Sequence, residues 1–344
     1  MSARMLRPSR MYGVGFKRIT LSMKKYTNIS DITSLANLVD GAMALKKNPF
    51  VFENLGKHKT LVMLFFNPSL RTRLSTQKAA QNLGMEVMIM NISHDGWVLE
   101  FEDGSIMNNA SSEHVKEAAQ VVSQYCDILA IRAFAGLTNK EEDYNEKVIN
   151  TFVQYATVPV VSLESATGHP LQALADVITL AENKVRHKPK VVLSWAPHPK
   201  ALPHAVANSF VEIMQLQDVD FVITHPIGYE LDTKITEDVM IEYDQEKAFE
   251  NADFIYTKNW STFNDYGKVQ SQDKNWMISQ QKMLGTNNAK FMHCLPVRRN
   301  VVVEDAVLDG NNSLVIEQAN NRTFAAQIVL KKILENNNSP LERD

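Results

Sequence analysis

The sequence predicts an α/β architecture of two domains, each a parallel β-sheet flanked by helices. Three observations carry that expectation. The chain has 344 residues, more than the roughly 250 to 300 at which a single hydrophobic core stops growing. From Lys59 onward, short apolar runs alternate with longer amphipathic stretches, the order that strand–helix–strand units produce. Almost every apolar run ends in charged or reactive residues, and open parallel sheets bind ligands outside the carboxyl ends of their strands.

In chain order the expected strands are LVMLFF, EVMIMNI, DILAIRAF, VPVVSLE, KVVLSWA, DFVITHP, ADFIYTK and AKFMHCL. Between them lie helical patterns such as EHVKEAAQVVSQY and HPLQALADVITLAENK. The polar clusters at the strand ends are NPSLRT, IRAF, LESATGHP, WAPHP, THP, YTKNW and HCLPVRR, so many polar groups are aimed at one cleft. The crossing between domains falls near Ala166. A first domain is expected over residues 23–165 and a second over 166–319, with a closing helix at about 320–337 returning to the first.

Residues 1–22 are basic, lack acids and lack a secretory apolar region. A transit peptide, an interfacial basic helix and an upstream start before Met23 are the alternatives. The last is preferred, and this extension is left out of the fold.

Composition narrows the function classes. Hydrophobic residues make up 44% and charged residues 22%, with a formal net charge of −3. That balance argues against a general nucleic-acid binder, which needs a broad basic face. No apolar run approaches the roughly 20 residues that span a bilayer, so no membrane role is expected. The two cysteines, Cys126 and Cys294, have no paired spacing for a disulfide framework or metal site, and a reducing cytoplasm is the simplest setting.

The most informative stretch is FFNPSLRTR, from Phe65 to Arg73. A strand that turns sharply into a helix exposes unpaired backbone N–H groups and the positive end of the helix dipole. Pro68 suits the turn, Ser69 and Thr72 add hydroxyls, and Arg71 supplies a planar fork for phosphate oxygens. The stretch therefore reads as a phosphate cradle, without the glycine spacing of nucleotide loops. In isolation the same residues also suit an ordinary helix start, capped by Ser69 or Thr72.

With HPLQ at His169–Gln172 and HCLP at His293–Pro296, FFNPSLRTR resembles the signature set of the aspartate and ornithine transcarbamylase superfamily. DGWVLEF, the Glu113–His114 pair, LESATGHPLQ, WAPHP, YTKNW and HCLPVRRN resemble its N-acylornithine branch. The ornithine-type DxxxSMG loop is absent. The resemblance implies carbamoyl phosphate and an N-acylornithine as substrates, no metal or organic cofactor, and a homotrimer with shared sites.

It further implies residue roles. Ser69, Leu70 through its backbone N–H, Arg71 and Thr72 hold the phosphate, with Arg322 completing the anion site. Arg132 bridges phosphate and carbonyl oxygen, His169 donates to that oxygen, and Gln172 faces the carbamoyl amide. Cys294 positions the reacting groups, and the Leu295 carbonyl accepts from the carbamoyl NH2. Trp97 reaches the carbamoyl-phosphate site of a neighbouring subunit. Glu164, His198, Lys258 and Arg298 contact the acylornithine, while Arg299 is structural.

Each residue also has a plainer reading. Arg132 could end a strand in solvent, His169 could cap its helix and Gln172 could lie on an exposed turn. Trp97 could cover a local apolar patch, and the charged set could form a surface salt-bridge network. A nucleophilic role for Cys294 with His293 is disfavoured, because adjacent strand residues point to opposite faces.

Ser112 stands where proline is typical of N-succinylornithine enzymes and glutamate of N-acetylornithine enzymes. Serine places no negative charge near an acyl tail, which together with SLRT and HPLQ favours the succinyl substrate. Alternatively, Ser112 caps the helix that follows. The rivals to be excluded are N-acetylornithine transcarbamylation and a non-catalytic paralogue that binds carbamoyl phosphate.

Overall fold

The computed structural model describes residues 23–337, so the basic extension lies outside the described residues. The strands are β1 (Thr60–Phe65), β2 (Glu86–Asn91), β3 (Leu99–Glu100), β4 (Glu113–His114), β5 (Ile128–Arg132), β6 (Val160–Glu164), β7 (Lys190–Trp195), β8 (Asp220–Thr224), β9 (Met240–Ile241), β10 (Phe254–Lys258) and β11 (Lys290–Met292). They form a four-stranded sheet, β2-β1-β5-β6, a five-stranded sheet, β11-β10-β7-β8-β9, and a short β3-β4 ladder. All pairings between them are parallel.

All eight expected runs are strands. The two-residue strands β3, β4 and β9 were not anticipated, since two residues carry no periodicity to read.

The alternation of side chains decides how each strand is buried. In β1, Leu61, Met63 and Phe65 enter one core cluster while Val62 and Leu64 enter another on the opposite face. Ile128 and Ala130 of β5 are divided in the same way from Leu129 and Ile131. Helices cover both faces of a parallel sheet, so its strands read as continuous apolar runs.

The Pro170–Asn183 helix differs from the amphipathic expectation, for every residue from Pro170 to Leu180 is buried. It packs against the Leu35–Lys47, Ala205–Met214 and Val315–Asn337 helices, joining the layers of the two sheets. Its polar side chains are bonded internally: Thr179 Oγ1 donates to the Ala175 carbonyl at 2.8 Å and accepts from Asn321 Nδ2 at 2.9 Å. The last helix, Val315–Asn337, also packs on the Leu35–Lys47 and Arg71–Asn82 helices of the first sheet.

Contacts between the halves flank the cleft. Tyr144 Oη lies 2.8 Å from His204 Nδ1, and His204 Nε2 lies 2.8 Å from the Ser261 carbonyl, which can only accept. The imidazole therefore donates from Nε2 and accepts the Tyr144 hydroxyl. Tyr266 Oη donates to Asp143 Oδ2 at 2.8 Å. Gly267, at φ 73°, lets this loop lie against Leu137, whose carbonyl oxygen would be 2.1 Å from any Cβ.

Candidate active site

Strand ends from both sheets and four helices enclose a cavity of about 340 Å³. Of the residues expected from sequence, Ser69, Leu70, Arg71, Thr72, Arg132, Glu164, His169, Gln172, His198, Lys258, Cys294, Leu295 and Arg322 line it.

The first wall is the β1 end and the helix behind it. Leu70 is the N-cap of the Arg71–Asn82 helix, and no side chain caps that end. Capping by Ser69 or Thr72 is thereby excluded. Instead, Thr72 Oγ1 accepts from an Arg322 guanidinium N–H at 2.5 Å, and Arg71 Nε is buried without a partner among the described residues. A desolvated, unpaired guanidinium N–H beside an open helix N-terminus is a receptor for an anion.

The next strand end carries Arg132, only 6% exposed. Its Nη1 donates to the carbonyls of Asn67, at 3.0 Å, and Pro68. Nε and Nη2 donate to Glu164 Oε2 at 3.3 and 3.1 Å, and the guanidinium stacks on Phe134 with 4.0 Å to the ring centroid. Asn67 in turn accepts the Phe134 N–H through Oδ1 at 2.6 Å. Burial raises the Glu164 carboxyl above its usual range, opposed by Arg132, Arg322 and Lys258. Arg132 is therefore locked in place and is no solvent-facing strand end, and Glu164 belongs to a buried pair.

His169 begins the Pro170–Asn183 helix and its side chain caps nothing. Its Nε2 lies 3.4 Å from an Arg322 nitrogen, which can only donate, and 3.6 Å from Glu164 Oε2, beyond hydrogen-bond distance, so the closer donor assigns the proton to Nδ1. Nδ1 is buried without a partner among the described residues. Burial, then the Arg322 and Arg132 charges, hold this imidazole well below its usual pKa, so it is neutral at pH 7. Gln172 is 1% exposed, which excludes a surface turn.

From the second sheet come Lys258 at the end of β10 and Cys294 after β11. Lys258 has no ion-pair partner among the described residues. Burial raises the Cys294 pKa, keeping the thiol protonated. The neighbouring His293 uses Nδ1 to accept the Leu295 N–H at 2.8 Å, so the side chain is engaged in its own turn and is no base for Cys294. Leu295 adopts φ 56°, a left-handed conformation that costs a non-glycine residue roughly 1–3 kcal/mol and persists where packing over-determines it.

Three expected residues do not line the cavity. Arg298 stands one contact away, its Nε 3.0 Å from His198 Nε2. Trp97 is 56% exposed beside the β3-β4 ladder, where its indole donates to Glu113 Oε2 at 2.8 Å; it covers no patch in this chain. Ser112 is exposed too, and the cap of the Val115–Ser123 helix is His114, whose Nδ1 accepts from the Lys116 N–H at 3.2 Å. Capping by Ser112 is excluded. Arg299 is held outside the cavity by Asp305 and Asp309, each at 2.7 Å.

Sequence reasoning missed Asn67, Phe134 and the apolar wall of Leu202, Pro203 and Val206. Asn67 and Phe134 lie within the quoted strand-end clusters, but their backbone and stacking partners are set only by folding.

Two family profiles cover most of the chain: "Aspartate/ornithine carbamoyltransferase, carbamoyl-P binding domain" over residues 24–182 and "Aspartate/ornithine carbamoyltransferase, Asp/Orn binding domain" over 203–333. The chain belongs to the aspartate/ornithine carbamoyltransferase family. Within it, the chain is 52% identical to an N-succinylornithine carbamoyltransferase of Bacteroides fragilis over 316 residues, covering 91% of this chain and 99% of that one. It is 34% identical to an N-acetylornithine carbamoyltransferase of Xylella fastidiosa over 334 residues, covering 90% and 98%. Among solved structures, acetylornithine transcarbamylase complexed with acetylcitrulline superposes with a TM-score of 0.85 at 32% identity, covering 90% and 99%.

Proposed function

We propose that this chain transfers the carbamoyl group of carbamoyl phosphate to the δ-amine of N-succinylornithine, giving N-succinylcitrulline and phosphate, a step of arginine biosynthesis. The observation that carries this reading is the convergence of Arg71, Arg132 and Arg322 with a neutral His169 in one cavity. Three guanidinium groups suit a dianionic phosphate, and a neutral imidazole can donate to a carbonyl without adding charge.

In the proposed site, Ser69, the Leu70 N–H, Arg71, Thr72 and Arg322 hold the phosphate. Arg132 and His169 polarise the carbonyl. Gln172 and the Leu295 carbonyl receive the carbamoyl NH2, and Cys294, as a thiol, packs beside the reacting carbon. The neutral δ-amine attacks that carbon, a C–N bond forms, the C–O bond to phosphate breaks, and the departing phosphate accepts the amine proton. Glu164, Lys258 and His198 face the acylornithine, with Arg298 held behind His198. Lys258 is available to pair with a substrate carboxylate.

Trp97 and Ser112 have no role in the cavity of their own chain. Their exposure supports a homotrimer in which they complete a neighbouring site. The free, buried thiols of Cys126 and Cys294 suit a reducing cytoplasm. No helix among the described residues is long and apolar enough to cross a membrane.

The test is an assay with carbamoyl phosphate and each of ornithine, N-acetylornithine and N-succinylornithine. Succinylornithine is expected to be turned over fastest, and Ser112→Glu should weaken its use selectively by about tenfold through charge repulsion in the assembled site. Faster turnover of acetylornithine would transfer the proposal to the N-acetylornithine reaction, the reading favoured by the Xylella relative. Binding without phosphate release would support a non-catalytic paralogue.

A further inference from the structure

The central helix buries an acid that the proposed reaction does not use. Asp176 has no exposed surface. Its Oδ1 accepts from Gln172 Nε2 and from Gln318 Nε2, each at 2.7 Å, and Gln318 Oε1 accepts the His293 N–H at 2.9 Å. Gln172 and Asp176 are four residues apart and so share one helix face. Oδ1 receives two N–H groups and acts as an acceptor whether or not Oδ2 carries a proton, which obliges Gln172 to turn its NH2 toward Asp176. Gln172 Oε1 is then the free end of a carboxamide that lines the cleft, buried and without a protein partner among the described residues.

We propose that Asp176 is a positioning residue: it fixes the Gln172 carboxamide so that the carbonyl oxygen, not the NH2, meets the carbamoyl amide. This rests on the carbamoyl-transfer reading above. A carboxamide is nearly symmetric in shape, so only its hydrogen bonds decide which end faces a ligand. The inverted amide would set NH2 against NH2. Gln318 braces the carboxylate from the last helix, so the acceptor is held by two elements.

Burial pushes the Asp176 carboxyl up to about 7, so retaining an ionisable group here costs stability that an apolar side chain would not. The titratable and charged groups facing it are Tyr256 from β10, Cys294 beyond β11 and Arg322 from the last helix.

The experiment uses the full chain and compares two probes by calorimetry, carbamoyl phosphate and inorganic phosphate. Only the first carries the amide that Gln172 would read. Asp176→Asn keeps an amide oxygen that can accept from both Gln172 and Gln318, so it is expected to bind carbamoyl phosphate within about twofold of wild type, with phosphate changed less than twofold. Asp176→Leu should weaken carbamoyl phosphate about a hundredfold and phosphate less than twofold. In a Gln172→Ala background the Asp176→Leu loss should shrink below about threefold, since residues acting as a unit are non-additive.

Equal losses for the two probes would make Asp176 a structural tie and overturn the proposal. Wild-type affinity in Asp176→Leu would overturn it too. Should Asp176→Leu fail to fold, Asp176→Ala, which also removes the acceptor, is read in its place with the same two probes. A wild-type protein that fails to distinguish the two probes would instead defeat the carbamoyl-transfer reading.

Discussion

Arg132→Leu is expected to lower kcat about a thousandfold, the range that removal of one preorganised oxyanion donor produces. The guanidinium is held before substrate arrives: two carbonyls take Nη1, Glu164 takes Nε and one Nη2 N–H, Phe134 stacks on its face, and the second Nη2 N–H is left for the substrate. Little reorganisation is left for the moment of reaction, which is what makes such a donor effective.

The same substitution leaves Glu164 in a buried site without its nearest cation, and breaking such a pair costs about 3–5 kcal/mol. The sign of the pH dependence follows from Glu164. Burial already raises its folded pKa, and Arg132 is the largest opposing influence. In the variant that pKa rises further. The folded state then binds the proton more tightly than the unfolded chain, so stability falls as pH rises from the ordinary carboxylate range through the folded value. Thermal unfolding at several pH values should find the variant closest to wild type in acid. A kcat within tenfold of wild type would remove Arg132 from the reacting centre.

Arg71→Leu is expected to act oppositely on activity and stability. Its Nε is buried without a partner among the described residues, and burial holds the guanidinium pKa down. One of its N–H groups is thus shielded from solvent without a hydrogen bond among the described residues. A phosphate dianion supplies what is missing, and charge-assisted hydrogen bonds of about 1.5–3 kcal/mol each make a KM rise for carbamoyl phosphate of roughly a hundredfold the expected result. The melting temperature of the unliganded variant should be unchanged or higher, as when a functional charge is removed from a site built for its ligand. A melting temperature lowered by several degrees with little change in KM would show a structural arginine.

Much of this was legible beforehand because the signals are local. Continuous apolar runs such as LVMLFF declare strands buried on both faces, and a polar cluster directly after such a run is placed by the chain itself at the sheet's carboxyl edge. Serine and threonine beside Arg71 could still have been caps. Only the coordinates show that helix end uncapped, with Thr72 bound by an arginine 250 residues away. Trp97 and Ser112 show the complementary case: their place in the motifs is evident, yet one chain does not bring them into the cavity.

Sequence alone determined the two parallel sheets, the identity of the polar groups at their edges and the chemistry those groups can perform, because side-chain periodicity and strand-end position are properties of neighbouring residues. The tertiary structure decided which partners each group has. Glu164 clamps Arg132, His169 is neutral with its proton assigned to Nδ1, and Gln172 shows an oxygen because Asp176 claims its nitrogen. Hydrogen-bond orientation and ionisation depend on groups far apart in the chain, and their strength depends on burial, which exists only once the two sheets and the central helix have packed together.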